Sequence, residues 1–280
     1  MALNYIFKNA KGDRYIWLVV IFLSLFSLLA VYSSTGTLAY KKQDGNTEYY
    51  IFKHITLMIA GLFLMYWAHK LDYRYYSKIA QILLFVSFPL LAYTILMGDK
   101  INQAARWITI PIIDQSFQTS DLAKLAIIMY LARELSRRQE NIKDLKTSFL
   151  PIIGAVVLTI ALIAPANFST ALMLFLTCCL IMLIGRISAK HILTTLVAGA
   201  VILSLVVLIG PRKETYKSRI KTFLSNETVD KDKSFQSDQS KIAIATGGLF
   251  GKGPGNSSQK NYLPHPYSDF IFSIIILHIN

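Results

Sequence analysis

The chain has 280 residues, 54% of them hydrophobic and only 16% charged, with a mean hydropathy of +0.45 and a net charge of +13. An ordinary soluble domain carries roughly 25% charged residues, so these figures and the long apolar blocks exclude a soluble globule. Fourteen glycines and eight prolines are too few for fibrous or disordered low-complexity sequence, and nothing in the pattern points to nucleic acid.

The apolar blocks predict membrane spans, in chain order, at 15–33, 51–68, 79–97, 122–135, 149–165, 168–185 and 191–210. The first, starting near Tyr15, lacks an Ala-x-Ala-type cleavage site and reads as a retained helix, not a signal peptide. The fourth is short and carries Lys124. An eighth begins at Phe270 and reaches Asn280, enough helix for roughly half a bilayer. Cys178 and Cys179, adjacent within a span, read as small hydrophobes; no metal site is expected there. The expected fold class is an all-α polytopic membrane bundle. Residues 1–210 form the bundle of about seven spans, 211–268 a large extracytoplasmic loop, and 269–280 the start of an incomplete eighth span.

Charge placement tests the list. With the N-terminus inside, the short inner segments (1–14, 69–78, 133–148, 186–190) hold thirteen Lys and Arg, against five in the short outer ones. Removing 122–135 would invert everything downstream, so that weak helix is expected to span, with Lys124 in or near the membrane. The tract 211–268 then lies outside. It carries ten Lys and Arg against five acids, and long loops are exempt from the orientation rule. Loops this long are uncommon and usually functional. Its first part, 225–240, reads as a solvated charged linker.

From Gln239 onward the composition changes. Gly247, Gly248, Gly251, Gly253 and Gly255 fall within nine residues, near Lys241 and Lys252. Such a backbone is able to present N–H groups to an anion, a lipid-linked phosphate for example, and equally to act as a simple hinge. Asp269 directly precedes an apolar run at the outer boundary. It reads as a helix N-cap, and a carboxylate there also suits a general base toward a sugar hydroxyl. Asp121 and Lys124, three apart, share a helical face, and Arg106-Trp107 precede them. Charges at membrane depth mark either a pairing or a functional cavity; the plain alternative is an Asp121–Lys124 pair that only offsets its own burial.

These residues carry a resemblance. Gln239-Ser240 through Gly247-Gly248-Leu249-Phe250-Gly251-Lys252-Gly253, then Gln259-Lys260, Leu263-Pro264 and Ser268-Asp269-Phe270-Ile271-Phe272, resemble the most specific block of the SEDS family (shape, elongation, division, sporulation). In the family this last stretch reads Leu-Pro-Glu-x-His-Thr-Asp-Phe-Ile-Phe. Asn102 to Ile108 is similar to its Gly-Ala-x-Arg-Trp-Ile segment, Gln118 to Lys124 to Gln-Pro-Ser-Glu-x-x-Lys, and Asn167 to Ala171 to Asp-x-Gly-Thr-Ala. Val31-Tyr32-Ser33-Ser34 resembles the division branch more than the elongation branch. The match runs from about Asp13 to Phe272. Thr119, Asp121, Asn167 and His265-Pro266 depart from the pattern. After Phe272 the sequence departs altogether and stops, so a C-terminally shortened or frameshifted copy is expected.

The resemblance implies a SEDS-like bundle that polymerises lipid II into peptidoglycan, with Asp269 as catalytic base. Arg106, Lys124, Asp121, Lys252, Gln239 and Ser240 are the substrate-binding candidates. It further implies undecaprenyl pyrophosphate as leaving group, a divalent cation (Mg or Mn) as the one candidate cofactor, and a class B penicillin-binding transpeptidase and other division membrane proteins as partners. The location would be the bacterial cytoplasmic membrane at the septum. A lipid II flippase and a non-catalytic division scaffold are the alternatives, and a boundary carboxylate on a large outer loop favours chemistry.

Overall fold

The computed structural model describes residues 13–35, 38–39, 46–101, 104–110, 115–209, 231–248 and 270–279. In chain order they form α1 (Arg14–Ser34), α2 (Thr47–Lys70), α3 (Tyr73–Met97), β1 (Asp99–Ile101), β2 (Ala104–Ile110), β3 (Gln115–Gln118), α4 (Thr119–Arg137), α5 (Leu150–Ile163), α6 (Phe168–Ile184), α7 (Ala189–Ile209), α8 (Lys231–Gly247) and α9 (Ile271–Ile279). Each apolar block became a helix, so the polytopic helical reading holds. Among the described residues four segments are long and apolar enough to cross a bilayer: Arg14–Tyr32, Thr47–Lys70, Tyr73–Met97 and Leu145–Ile163. Their outer faces expose Leu18, Phe22, Phe63, Phe85 and Leu96, apolar side chains suited to lipid. Polar caps start them: Asp13 accepts from the Tyr15 N–H at 2.8 Å, Asn46 from Tyr49 at 3.2 Å and Asp72 from Arg74 at 3.0 Å.

The chain divides into two compact units, Met1–Leu71 with Glu214–Asn280, and Asp72–Lys213. The sequence boundaries at 210 and 268 follow hydropathy along the chain, which cannot show that α8 and α9 belong with the first two helices. In the first unit α1 packs on α2, where the Ser27 hydroxyl lies 2.8 Å from His54 Nε2, and α9 packs on α1 and α8. Residues 231–240, expected as a solvated linker, belong to α8. Lysines and glutamines are good helix formers, and Ala243, fully buried, gives the helix an apolar anchor.

The second unit is built around α4. Ala123, Ala126, Ile127 and Leu131 are fully buried, packed within a core that includes Leu84 and Leu91 of α3, Ile152 and Val156 of α5, and Leu174, Cys178 and Met182 of α6. Nineteen residues span about 28 Å, close to the hydrocarbon thickness, so α4 has the length of a span. Protein covers it in place of lipid, which is why its hydropathy is weak. Both cysteines are buried and free, as small hydrophobes should be.

The hydropathy pass assigned no structure to 98–121, yet β1, β2 and β3 form an antiparallel sheet there. Trp107 pairs with Gln118, Ile108 with Phe117, Thr109 with Ser116 and Ile110 with Gln115. Ile, Thr and Trp favour a pleated strand, but the run is too short to show as a span. Gly98 is required where α3 meets the sheet: a Cβ there would lie 2.4 Å from the Thr94 carbonyl oxygen and 3.2 Å from that of Trp107.

At the other end of α4, Asp144 caps the turn Leu145–Phe149 that leads into α5. The Thr147 hydroxyl, 2.7 Å away, and the Lys146 N–H hold its carboxyl below the ordinary value of 3.8. The folded state therefore favours the ionised form. This stabilisation is full above the ordinary value and is lost as pH falls through the lower folded one. Asp144→Asn should remove that acid-side loss from a detergent-solution pH–stability profile, and an unchanged acid limb would show that the cap carries none of it.

Candidate active site

The sheet decides where α4 begins. β3 runs directly into it, because Gln118 is both the last strand residue and the residue before the first helical turn, its side-chain amide donating to Ser120 Oγ at 2.7 Å. The register of β3 on β2 therefore sets the first two turns of α4, which carry two of the expected site residues. Lys124 Nζ lies 2.6 Å from Asp121 Oδ1, an i, i+3 pair with side chains 38% and 55% exposed. An exposed pair of this kind contributes at most about 1 kcal/mol and stays open to a competing anion. Lys124 is thus both paired and reachable. Burial does not force the pairing.

Beside this turn α3, α4, α5 and α6 leave a small recess, with Leu91 and Ile163 on its apolar side and Thr94, Thr119, Ser120 and Asn167 supplying polar groups. The Thr94 and Thr119 hydroxyls are 2.9 Å apart, and Thr94 also donates to the Leu90 carbonyl at 2.7 Å. The Asn167 side chain accepts from the Thr170 N–H at 3.2 Å and starts α6. Two of the departures from the family pattern, Thr119 and Asn167, line this one recess, and Asp121 stands two residues after Thr119 on the same turn. The recess is uncharged and mostly apolar, and the Asp121–Lys124 pair lies outside its lining.

Arg106 lies in β2, placed by pairing with β1 and β3 in the same unit. Gln239 and Ser240 lie on α8 of the other unit and are half-buried; the Ser240 hydroxyl is 2.5 Å from that of Ser273 on α9. Asp269, Lys252, the glycines beyond Gly248, and therefore the expected convergence of Asp121, Lys124 and Asp269 on one cavity, lie outside the described residues. Of the glycine-rich run, Gly247 packs closely on α9 and Gly248 is left-handed (φ 63°). These two glycines serve a helix end and a close contact, and an anion cradle would have to be built further along.

Among the described residues no group of three or more His, Cys, Asp or Glu side chains could hold a metal ion, and Asp121 is engaged by Lys124. Sequence reasoning missed one cluster. Glu134, 3% exposed, is held by the Arg133 guanidinium and by Arg138 Nε at 2.8 Å. The only signal was an Arg-Glu pair followed by Arg four residues on, ordinary for an exposed helix face.

A polytopic helical bundle in which a short sheet sets a cation-bearing helix start defines the class of membrane protein. A family model described as cell cycle protein, of the FtsW/RodA/SpoVE type, matches residues 13–276, and the chain belongs to this family. It is 31% identical over 273 residues to a probable peptidoglycan glycosyltransferase FtsW of Trichlorobacter lovleyi, covering 96% of this chain and 70% of that one. It is 32% identical over 266 residues to the protein of the same name from Coxiella burnetii, covering 92% and 70%. A chain of a solved peptidoglycan synthase complex that coordinates polymerization and crosslinking superposes with a TM-score of 0.60 at 17% identity, over 92% of this chain and 71% of that one. That likeness is one of fold.

Proposed function

We propose that this chain is a peptidoglycan glycosyltransferase of the FtsW kind, polymerising lipid II into glycan strands during cell division. The observation that carries the reading is the family match over residues 13–276, which takes in the outer tract and Asp269 as well as the bundle. Asp269 removes the proton from the 4-hydroxyl of the GlcNAc on an incoming lipid II. The freed oxygen pair bonds to the anomeric carbon of the lipid-linked chain, whose bond to oxygen breaks and releases undecaprenyl pyrophosphate. Negative charge develops on that leaving group, and Lys124, Arg106 and Lys252 are assigned to it. The exposure of the Lys124 side chain, 38% even when paired with Asp121, supports its part. A divalent cation carried in with the pyrophosphate would add to this neutralisation. Gln239 supplies a hydrogen-bonding amide on α8.

The assigned partners are a class B penicillin-binding transpeptidase and other division membrane proteins, at the septum of the bacterial cytoplasmic membrane. In liposomes given fluorescent lipid II, a polymerase makes glycan ladders on a gel. A flippase moves the label across the bilayer without making chains, and a scaffold does neither; either result overturns the assignment.

Sidedness is tested separately. With 211–268 outside, Ser234→Cys should react with an impermeant maleimide in intact cells, while Ser136→Cys should react only after lysis. The reverse pattern would overturn the orientation, and with it an outer-face reaction.

A further inference from the structure

Ser240, Ala243 and Gly247 recur at three and four residues along α8 and so share one face. That face meets α9. The hydroxyls of Ser240 and Ser273 lie 2.5 Å apart, with Ser273 and Ala243 both buried. At Gly247 a Cβ would stand 2.7 Å from the Ile276 carbonyl oxygen and 3.2 Å from its Cγ2, so only glycine admits this approach without shifting backbone. Ser273, the one polar residue of α9 before His278, has its hydroxyl committed to α8. The two helices are thus fixed at both ends of one contact, by a hydrogen bond and by backbone against backbone. In the sequence α9 opens at Ile271, two residues after Asp269.

We propose that Ser240 and Gly247 are positioning residues: through Ser273 and Ile276 they hold α9, and thereby the peptide that carries Asp269, in the geometry the glycosyl transfer needs. The proposal rests on the assignment of Asp269 above. It takes Ser240 out of the substrate-binding set. A half-buried hydroxyl committed to Ser273 holds α9 first and has less left to offer lipid II.

The test separates positioning from binding and from folding. In the full chain, Ser240→Ala, Ser273→Ala and the double variant should each lower kcat by about tenfold with KM for lipid II unchanged, and the double should be no worse than either single, since both remove one interaction. Gly247→Val should cost about 100-fold in kcat, the scale of a displacement near 1 Å. Ser240→Cys with Ser273→Cys should cross-link in membranes on mild oxidation and keep turnover, because the bond reproduces the native approach. A raised KM at constant kcat for Ser240→Ala would mean that it touches substrate and would overturn the proposal. So would additive losses, or failure of the cysteine pair to cross-link in folded protein. Serine variants with unchanged kcat beside an inactive Asp269→Asn would sink this proposal alone. An active Asp269→Asn would sink the base assignment, whatever the serines do.

Discussion

Asp269→Asn should abolish glycan polymerisation while leaving the protein folded and in the membrane. Asn is nearly isosteric with Asp and caps helices about as well, so a purely structural role would survive the change. It cannot accept a proton. General-base contributions are about 100- to 10,000-fold, far beyond the effect of a weakened cap. The competing acids are poor candidates. Asp238 lies on α8 and pairs with Lys241 at 3.3 Å with both side chains well exposed, Asp232 lies at the polar start of the same helix, and Glu214, Glu227 and Asp230 sit in polar sequence without an apolar anchor. Lipid II polymerisation followed on gels by purified wild type and Asp269→Asn decides the matter. Near-normal chains from the variant would reduce Asp269 to a cap.

The bundle was legible because lipid imposes one requirement on every span, about twenty apolar residues with all backbone groups paired internally. α4, whose hydropathy is weak, is a helix of spanning length where charge placement leads the sequence reading to expect one. The Asp121–Lys124 pair was legible from spacing alone, because i, i+3 neighbours on a helix must meet. The sheet at 99–118 was not, since three short strands of three, seven and four residues give no periodicity above that of a loop. Nor was α8, whose polar composition resembles a linker until Ala243 and Gly247 are seen against α9. Ser240 shows the same limit: a motif names the residue, and only packing shows that its hydroxyl is already engaged.

The second large effect is expected at Glu134, which no motif or hydropathy feature marks. Its carboxylate is 3% exposed and takes the Arg133 guanidinium on one oxygen and Arg138 Nε, at 2.8 Å, on the other. Both arginines reach onward. Arg133 Nε donates to Ser77 Oγ on α3 at 2.9 Å, and Arg138 donates to the Thr147 carbonyl in the turn before α5. One buried anion thus ties α4 to α3 and to the start of α5, at the end of α4 opposite Asp121 and Lys124. Removing one member of a buried ion network leaves the others uncompensated, at about 3–5 kcal/mol. Arg138, 31% exposed, regains some hydration, which sets the expectation for Glu134→Ala at the lower end of that range. Glu134→Gln should lose less, because it keeps the shape and one good acceptor. Replacing Glu134, Arg133 and Arg138 together by Leu, Met and Met should recover most of the loss, since no charge is then stranded. Thermal unfolding in detergent reads all three. If Glu134→Ala unfolds with wild-type stability, the network is ornamental and α4 is held by its apolar core alone. If the triple variant is as unstable as Glu134→Ala, the loss comes from packing and not from unpaired charge.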